Sequence, residues 1–172
     1  TDTMLQLTIK RLKDIVPLDQ VFIITNKQYI DLVKKQLPRI PKENIIGEPV
    51  GRNTAPCIGL ASIILKQYDE KAKMFVVPAD HLIENVDEFT KVVNTGLKFV
   101  EDKDAIVTLG IVTSHPETGY GYIQINDKKV AENIFPVYTF AEKPNYATAL
   151  RFVESGDFLW NSGMFIWRTD VI

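Results

Sequence analysis

The spacing of apolar and polar positions changes period along the chain. Met4, Leu5, Thr8, Ile9, Leu12 and Ile15 recur at three- and four-residue intervals and predict a helix that Pro17 closes. The run VFII at 21–24 is continuous instead, the pattern of a short strand buried on both faces. Residues 27–37 return to helical spacing and stop at Pro38, and NII at 44–46 predicts another short strand. Residues 55–68 are apolar nearly all round and predict a buried helix. MFVV at 74–77 predicts a strand, residues 87–100 a helix begun by Asp87, and residues 105–112 a further buried strand.

Strands alternating with helices of this length imply βαβ units, hence an α/β fold of three layers around a mostly parallel sheet. The rhythm changes at Gly119. Residues 122–125 and 134–140 alternate like antiparallel strands around the polar connection NDKK, and a helix from Asn145 to Glu154 follows. An antiparallel insertion near the sheet edge accounts for this segment.

Composition narrows the function classes. A hydrophobic fraction of 45% with 24% charged residues excludes a disordered chain, and 172 residues suffice for one domain. Twenty basic residues against 22 acidic ones, scattered rather than clustered, exclude a whole-domain attraction to nucleic acid. The single cysteine, Cys57, forbids an internal disulfide and has the apolar neighbours of a core hydrophobe. Neither a membrane-length apolar run nor a secretory pattern occurs, which points to the cytoplasm.

Ligands of open α/β sheets bind beyond the carboxyl ends of strands, so the residues after each apolar run are the first to inspect. Asp80, in PADH at 78–81, is placed to hold Mg²⁺, a hard ion that prefers oxygen; equally, it could cap the next turn. In EPVGRNTAP at 48–56, Asn53 or Thr54 can cap the helix that follows and Pro56 is tolerated in its first turn. Capping leaves Arg52 and Gly51 unexplained, and a guanidinium beside free helix N–H groups suits a phosphate or a polar base edge. In ETGYGYI at 117–123 two glycines permit close backbone approach while tyrosines wall a cavity, although a hairpin entrance reads the same. Glu142 and Lys143 end one strand and Asn161 enters another; read alone, the first two are a solvated pair and the third a turn residue.

Together EPVGRNTAP, VVPADHLI, GIVTSHPETGYGYI, FAEKP and FLWNSGMFIW, in this order, resemble the sugar-nucleotide pyrophosphorylases, specifically the branch that makes GDP-mannose. The likeness extends from Met4 to Trp167. It implies a Rossmann-like nucleotide-diphospho-sugar transferase fold and the reaction of GTP with mannose 1-phosphate, giving GDP-mannose and pyrophosphate with Mg²⁺. By the same resemblance Asp80 is the metal-binding aspartate and Lys143 binds the sugar phosphate. Gly121, Glu142 and Asn161 hold the sugar. Glu48, Pro49, Asn53, Thr54 and Ala55 recognise the nucleotide, with Arg52 near it as a third catalytic residue. No partner nucleic acid or membrane is implied, and a homodimer is compatible.

Two family features are missing from these 172 residues: the glycine-rich triphosphate loop and a second metal aspartate downstream of NSG. Residues 1–172 are therefore expected to be a partial nucleotidyltransferase domain with little turnover alone. The alternatives are a non-catalytic nucleotide-sugar-binding regulatory domain and a pyrophosphorylase of other nucleotide or sugar specificity.

Overall fold

The computed structural model describes residues 2–172. Helix α1 (Met4–Leu12) opens on a capping box: Thr3 Oγ1 accepts from the Gln6 N–H while Gln6 Oε1 accepts from the Thr3 N–H. Strand β1 (Ile23–Asn26) begins two residues later than VFII predicts and is half-buried rather than buried on both faces, since only β2 (Ile45–Glu48) pairs with it, in parallel. Between them lies α2 (Ile30–Gln36), entered through a 3-10 turn over Lys27–Tyr29.

Helix α3 (Thr54–Lys66) leads to β3 (Lys73–Val76), and α4 (Val86–Phe99) leads to β4 (Val107–Val112). Two expectations need correction here. Asn85, not Asp87, caps α4, its Oδ1 accepting from the Glu88 N–H. Helix α3 is not buried: Ser62 is its one buried residue, and Ile63 is 64% exposed. No other element covers the outer sides of α3, so its all-round apolarity remains partly in solvent.

Strands β5 (Tyr122–Ile125) and β6 (Val137–Ala141) form the antiparallel insertion, with β6 at the edge. Helix α5 (Tyr146–Ser155) is capped by Asn145 and ended by Gly156 in the left-handed region at φ 77°. The chain then enters β7 (Phe158–Arg168), eleven residues long.

The five-stranded sheet is antiparallel in every pairing rather than mostly parallel. Strand β7 runs antiparallel to β3, β4 and β5 and pairs with all three, so β3 and β4, which point the same way, are separated by it. Parallel pairing is confined to β1 and β2, in a separate two-stranded sheet. No ladder joins β1 to β3. The two sheets are joined by α1, whose Ile9 packs into the core of Val21, Val33, Leu37, Ile40 and Ile45, while its Leu12 packs with Phe89, Val93, Met164 and Ile166. Among the described residues, no helix is long and apolar enough to cross a membrane.

Ile166 is fully buried and lies opposite Phe75 of β3 and Val107 of β4, so it ties both neighbours of β7 together. Ile166→Ala should lower the unfolding free energy by about 2–5 kcal/mol. Urea titration followed by far-ultraviolet circular dichroism would measure this, and an unchanged midpoint would contradict the central role of β7.

Candidate active site

The centre of β7 is irregular. Thr108 is paired with Phe165 and Gly110 with Asn161, so Ser162, Gly163 and Met164 of β7 face only Leu109 of β4. The segment read as a turn is thus a bulge inside a continuous strand. Side chains replace the lost ladder bonds. Ser162 Oγ donates to the Leu109 carbonyl at 2.6 Å and accepts from the Met164 N–H at 3.2 Å. Thr108 Oγ1 donates to the Met164 carbonyl at 3.1 Å, and Asn161 Oδ1 accepts from the Gly163 N–H at 3.0 Å. Gly163 sits at φ 70°, where a side chain would be strained, and a Cβ there would lie 3.5 Å from Pro78. The bulge therefore abuts the turn that carries Asp80.

Asn161 joins two further segments. Its N–H donates to the Gly121 carbonyl at 2.8 Å. A Cβ on Gly121 would lie 3.4 Å from Glu142 Oε2 and 3.7 Å from Asn161 Cβ. Gly121, Glu142 and Asn161, separated by up to forty positions, therefore form one cluster. With Asn161 Oδ1 committed to Gly163, its amide nitrogen is the part left to donate, while Glu142 offers acceptors. That set matches sugar hydroxyls, each of which is both donor and acceptor.

Lys143 follows in the same turn, its Nζ 3.4 Å from Glu142 Oε1 with both side chains largely in solvent. It is a solvated pair, yet its backbone is strained: Lys143 holds φ 32° immediately before Pro144, a conformation costing about 1–3 kcal/mol. Asp80 is similarly open, its side chain 86% exposed, with the His81 ring Nδ1 3.1 Å from Oδ1. The second carboxylate oxygen has no partner among the described residues.

The loop before α3 fits its expected role only in part. Asn53 occupies the cap position but makes no side-chain capping bond, contrary to expectation. Its φ of 65° and ψ of −168° fall in a region nearly reserved for glycine. The first-turn N–H groups of α3 are therefore uncapped by protein. Arg52, Thr54 and Ala55 are exposed, as is Pro49, and Glu48 ends β2 half-buried. No hydrogen bond or ion pair among the described residues ties Arg52 to Asp80 or Lys143, so the structure groups it with the loop and not with the other two. Cys57 is half-buried on α3 rather than in the core, because that helix is largely uncovered; partial burial, with Glu48 nearby, raises its thiol above its ordinary value.

The glycine loop departs from expectation in one tyrosine. Tyr122 is fully buried; its hydroxyl donates to the Glu117 carbonyl at 2.8 Å and accepts from the Glu117 N–H at 3.0 Å, pinning the loop from below. Only Tyr120 is exposed, its ring edge-on to Trp160 at 5.6 Å. A residue absent from the sequence reading also matters. Arg11 lies on the buried face of α1 and donates to the His81 carbonyl at 3.0 Å. Its signal was a charged residue three positions after Thr8, inside the apolar stripe.

The structure thus offers a central strand that bulges towards the turn carrying Asp80, next to a polar cluster of Gly121, Glu142 and Asn161, with the uncapped start of α3 on a separate loop. The chain belongs to the Nucleotidyl transferase family, whose profile matches residues 1–171. It is 43% identical to a mannose-1-phosphate guanylyltransferase of Escherichia coli K12, across 96% of this chain and 36% of that protein. To a protein of the same name from Salmonella montevideo it is 42% identical, across 99% of this chain and 37% of that protein. It thus spans little more than a third of the length of these relatives. Its fold is similar to a solved Thermus thermophilus structure titled mannose-1-phosphate geranyltransferase. The TM-score is 0.86 and the identity 30%, covering 99% of this chain and 48% of that one. A Helicobacter pylori structure titled mannose-6-phosphate isomerase gives a TM-score of 0.83 at 27% identity, covering 99% and 63%.

The loop supplies a pH test. Glu117 is held below its ordinary 4.5, first by the Gly119 N–H, which donates to Oε1 at 2.7 Å. A depressed folded value means that the unfolded chain binds the proton first as pH falls. The stabilisation is therefore whole above about pH 4.5 and is lost as pH drops through the lower folded value. Glu117→Gln should flatten this acid limb in urea titrations between about pH 3 and pH 5 while leaving the neutral limb parallel to wild type. A limb of unchanged slope would refute the assignment.

Proposed function

We propose that this chain carries the sugar- and metal-binding part of an enzyme that converts GTP and mannose 1-phosphate into GDP-mannose and pyrophosphate. The carrying observation is the convergence of Gly121, Glu142 and Asn161 beside the Asp80 turn, three remote segments meeting at one point. The guanylyl and mannose specificity is supported by the relatives that carry that name. On this reading residues 1–172 are part of one three-layer, Rossmann-like catalytic domain working in the cytoplasm.

The chemistry is displacement at phosphorus. A phosphate oxygen of mannose 1-phosphate forms a bond to the α-phosphorus of GTP, and the bond from that phosphorus to the bridging oxygen breaks. Pyrophosphate leaves with the electron pair. The attacking phosphate is already ionised, so neither a covalent enzyme intermediate nor a Ser-His-Asp set is needed, and catalysis consists of positioning and charge stabilisation.

Each segment has a part in that positioning. Glu142 accepts from sugar hydroxyls, and the Asn161 amide donates to them. Gly121 keeps the floor flat so the ring can approach. The Lys143 ammonium offsets the sugar phosphate. At the other end, the uncapped N–H groups of α3 with Thr54, Asn53 and Arg52 receive the nucleotide, while Glu48, Pro49 and Ala55 border its base. Among the described residues, no three acidic, histidine or cysteine side chains gather, so Asp80 is offered as a single open carboxylate. This suits Mg²⁺, which takes one or two carboxylates and completes its shell with waters and substrate phosphates. When bound, the ion would offset charge on the phosphate oxygens.

Asp80→Asn in the full-length polypeptide should lower kcat/KM for pyrophosphate release by about 100-fold or more. Because the side chain is 86% exposed, its thermal midpoint should move by no more than about 2 °C. Unchanged turnover would overturn the metal assignment. Tight GDP-mannose binding without any turnover by wild type would favour the regulatory alternative.

A further inference from the structure

Arg11 is the only charged residue buried among the described residues, at 6% exposure. It makes no ion pair there. Burying an uncompensated guanidinium costs more than burying an apolar side chain of the same length, so its presence calls for a function. Its contacts are specific. One terminal nitrogen donates to Thr8 Oγ1 at 3.1 Å, which sets the plane of the group. The guanidinium carbon lies 5.9 Å from the centre of the Phe89 ring, while Nε is buried without a partner. The remaining terminal nitrogen is the one that leaves the helix, donating to the His81 carbonyl.

Among the described residues no other hydrogen bond ties this segment to the body of the protein. Strand pairing of β3 ends at Val76, and the cap of α4 begins at Asn85. Between them, among the described residues, the only other hydrogen bond is internal, from His81 to Asp80. Leu82 is 71% exposed, while Val77 and Ile83 pack against the core on either side of the turn. Between those two apolar contacts, the peptide immediately after Asp80 is hydrogen-bonded to the body of the protein through Arg11. Burial also lowers the guanidinium below its ordinary value.

We propose that Arg11 is a positioning residue: by holding the His81 carbonyl it fixes the turn that presents the Asp80 carboxylate, and the affinity of the site for a divalent cation depends on it. The proposal rests on the reading of Asp80 as the metal-binding carboxylate. A methionine would fill the same volume and leave the His81 carbonyl free. A lysine would keep the charge but not the two-pronged geometry.

The test uses the full-length polypeptide with Mn²⁺ as probe, its affinity read from the free-ion electron paramagnetic resonance signal. A nitroxide at Leu82→Cys, in a background where Cys57 and any other cysteine of the polypeptide are replaced by alanine, reports the mobility of the turn without metal. Arg11→Met should fold with a thermal midpoint at or above wild type, since an unpaired buried charge is removed. Its nitroxide line shape should narrow, and Mn²⁺ should bind about tenfold more weakly, the worth of one ordinary hydrogen bond. Arg11→Lys should fall between Met and wild type, and it carries the test if Arg11→Met does not fold. Unchanged nitroxide mobility would overturn the anchor. A mobile turn with undiminished Mn²⁺ affinity would overturn its role at the site. Asp80→Asn run in parallel separates the two readings: if it leaves Mn²⁺ binding intact, the metal assignment falls, while the mobility result still decides whether Arg11 holds the turn.

Discussion

Two demands on β7 conflict, and the bulge at Asn161–Met164 reconciles them. Trp160, Met164 and Ile166 must face inward to complete the cores on which α4 and α5 pack. The proposed site calls for an amide side chain and a glycine aimed the other way, against Asp80's turn. A regular pleat would meet the first demand and leave Gly163 no reason to approach Pro78. The bulge costs ladder bonds, and a buried backbone group left unpaired would cost about 1–3 kcal/mol. Ser162, Thr108 and Asn161 meet that need with their side chains. The polar residues in the middle of an otherwise apolar strand are structural first, and the cluster proposed to receive sugar hydroxyls shares Asn161 with those hydrogen bonds.

Strain is distributed in a related way. Three non-glycine residues hold positive φ: Asn53, Lys143 and Asn133. Asn133 lies in the connection between β5 and β6, beside an isolated bridge from Ala131 to Ile134, where an asparagine in the left-handed region is ordinary. The other two lie in the segments assigned to nucleotide and sugar phosphate. Neither is explained by a local hydrogen bond, and Lys143 is made worse by the proline that follows. Strain of this sort persists only where surrounding packing enforces it.

Much of this was legible from residue pattern. Helix periods located α1, α2, α4 and α5 to within a few residues, because each has a cap or a breaker next to an amphipathic stripe. The residues gathered at the sugar cluster were legible through the motifs that resemble a family, since nothing in the spacing of Gly121, Glu142 and Asn161 requires them to meet. Strand direction was not legible. An apolar run such as that of β3 has the same pattern whether its neighbour is parallel or antiparallel, and β7, which lies between β3 and β4, comes from much later in the chain, Ile166 facing Phe75. The exposure of α3 was hidden for a similar reason: an apolar sequence states what a helix would bury, not what is there to cover it. Arg11 was overlooked because a single charge in a stripe looks like a boundary residue until its partner, seventy positions away, is known.

The arrangement makes α1 more than a covering helix. The loop from Glu48 to Ala55 belongs to the β1–β2 sheet, whereas Asp80, Gly121, Glu142 and Asn161 belong to the five-stranded one. No backbone ladder sets the distance between the two groups. That distance is set by side-chain packing: Ile9 in one core, Leu12 in the other, Val16 against both, with Phe22 edge-on to Tyr68 at 5.8 Å as a contact across the same join. Helix α1 therefore touches both cores and, through the bond from Arg11 to the His81 carbonyl, the turn that carries Asp80, so one short helix sets the placement of all three.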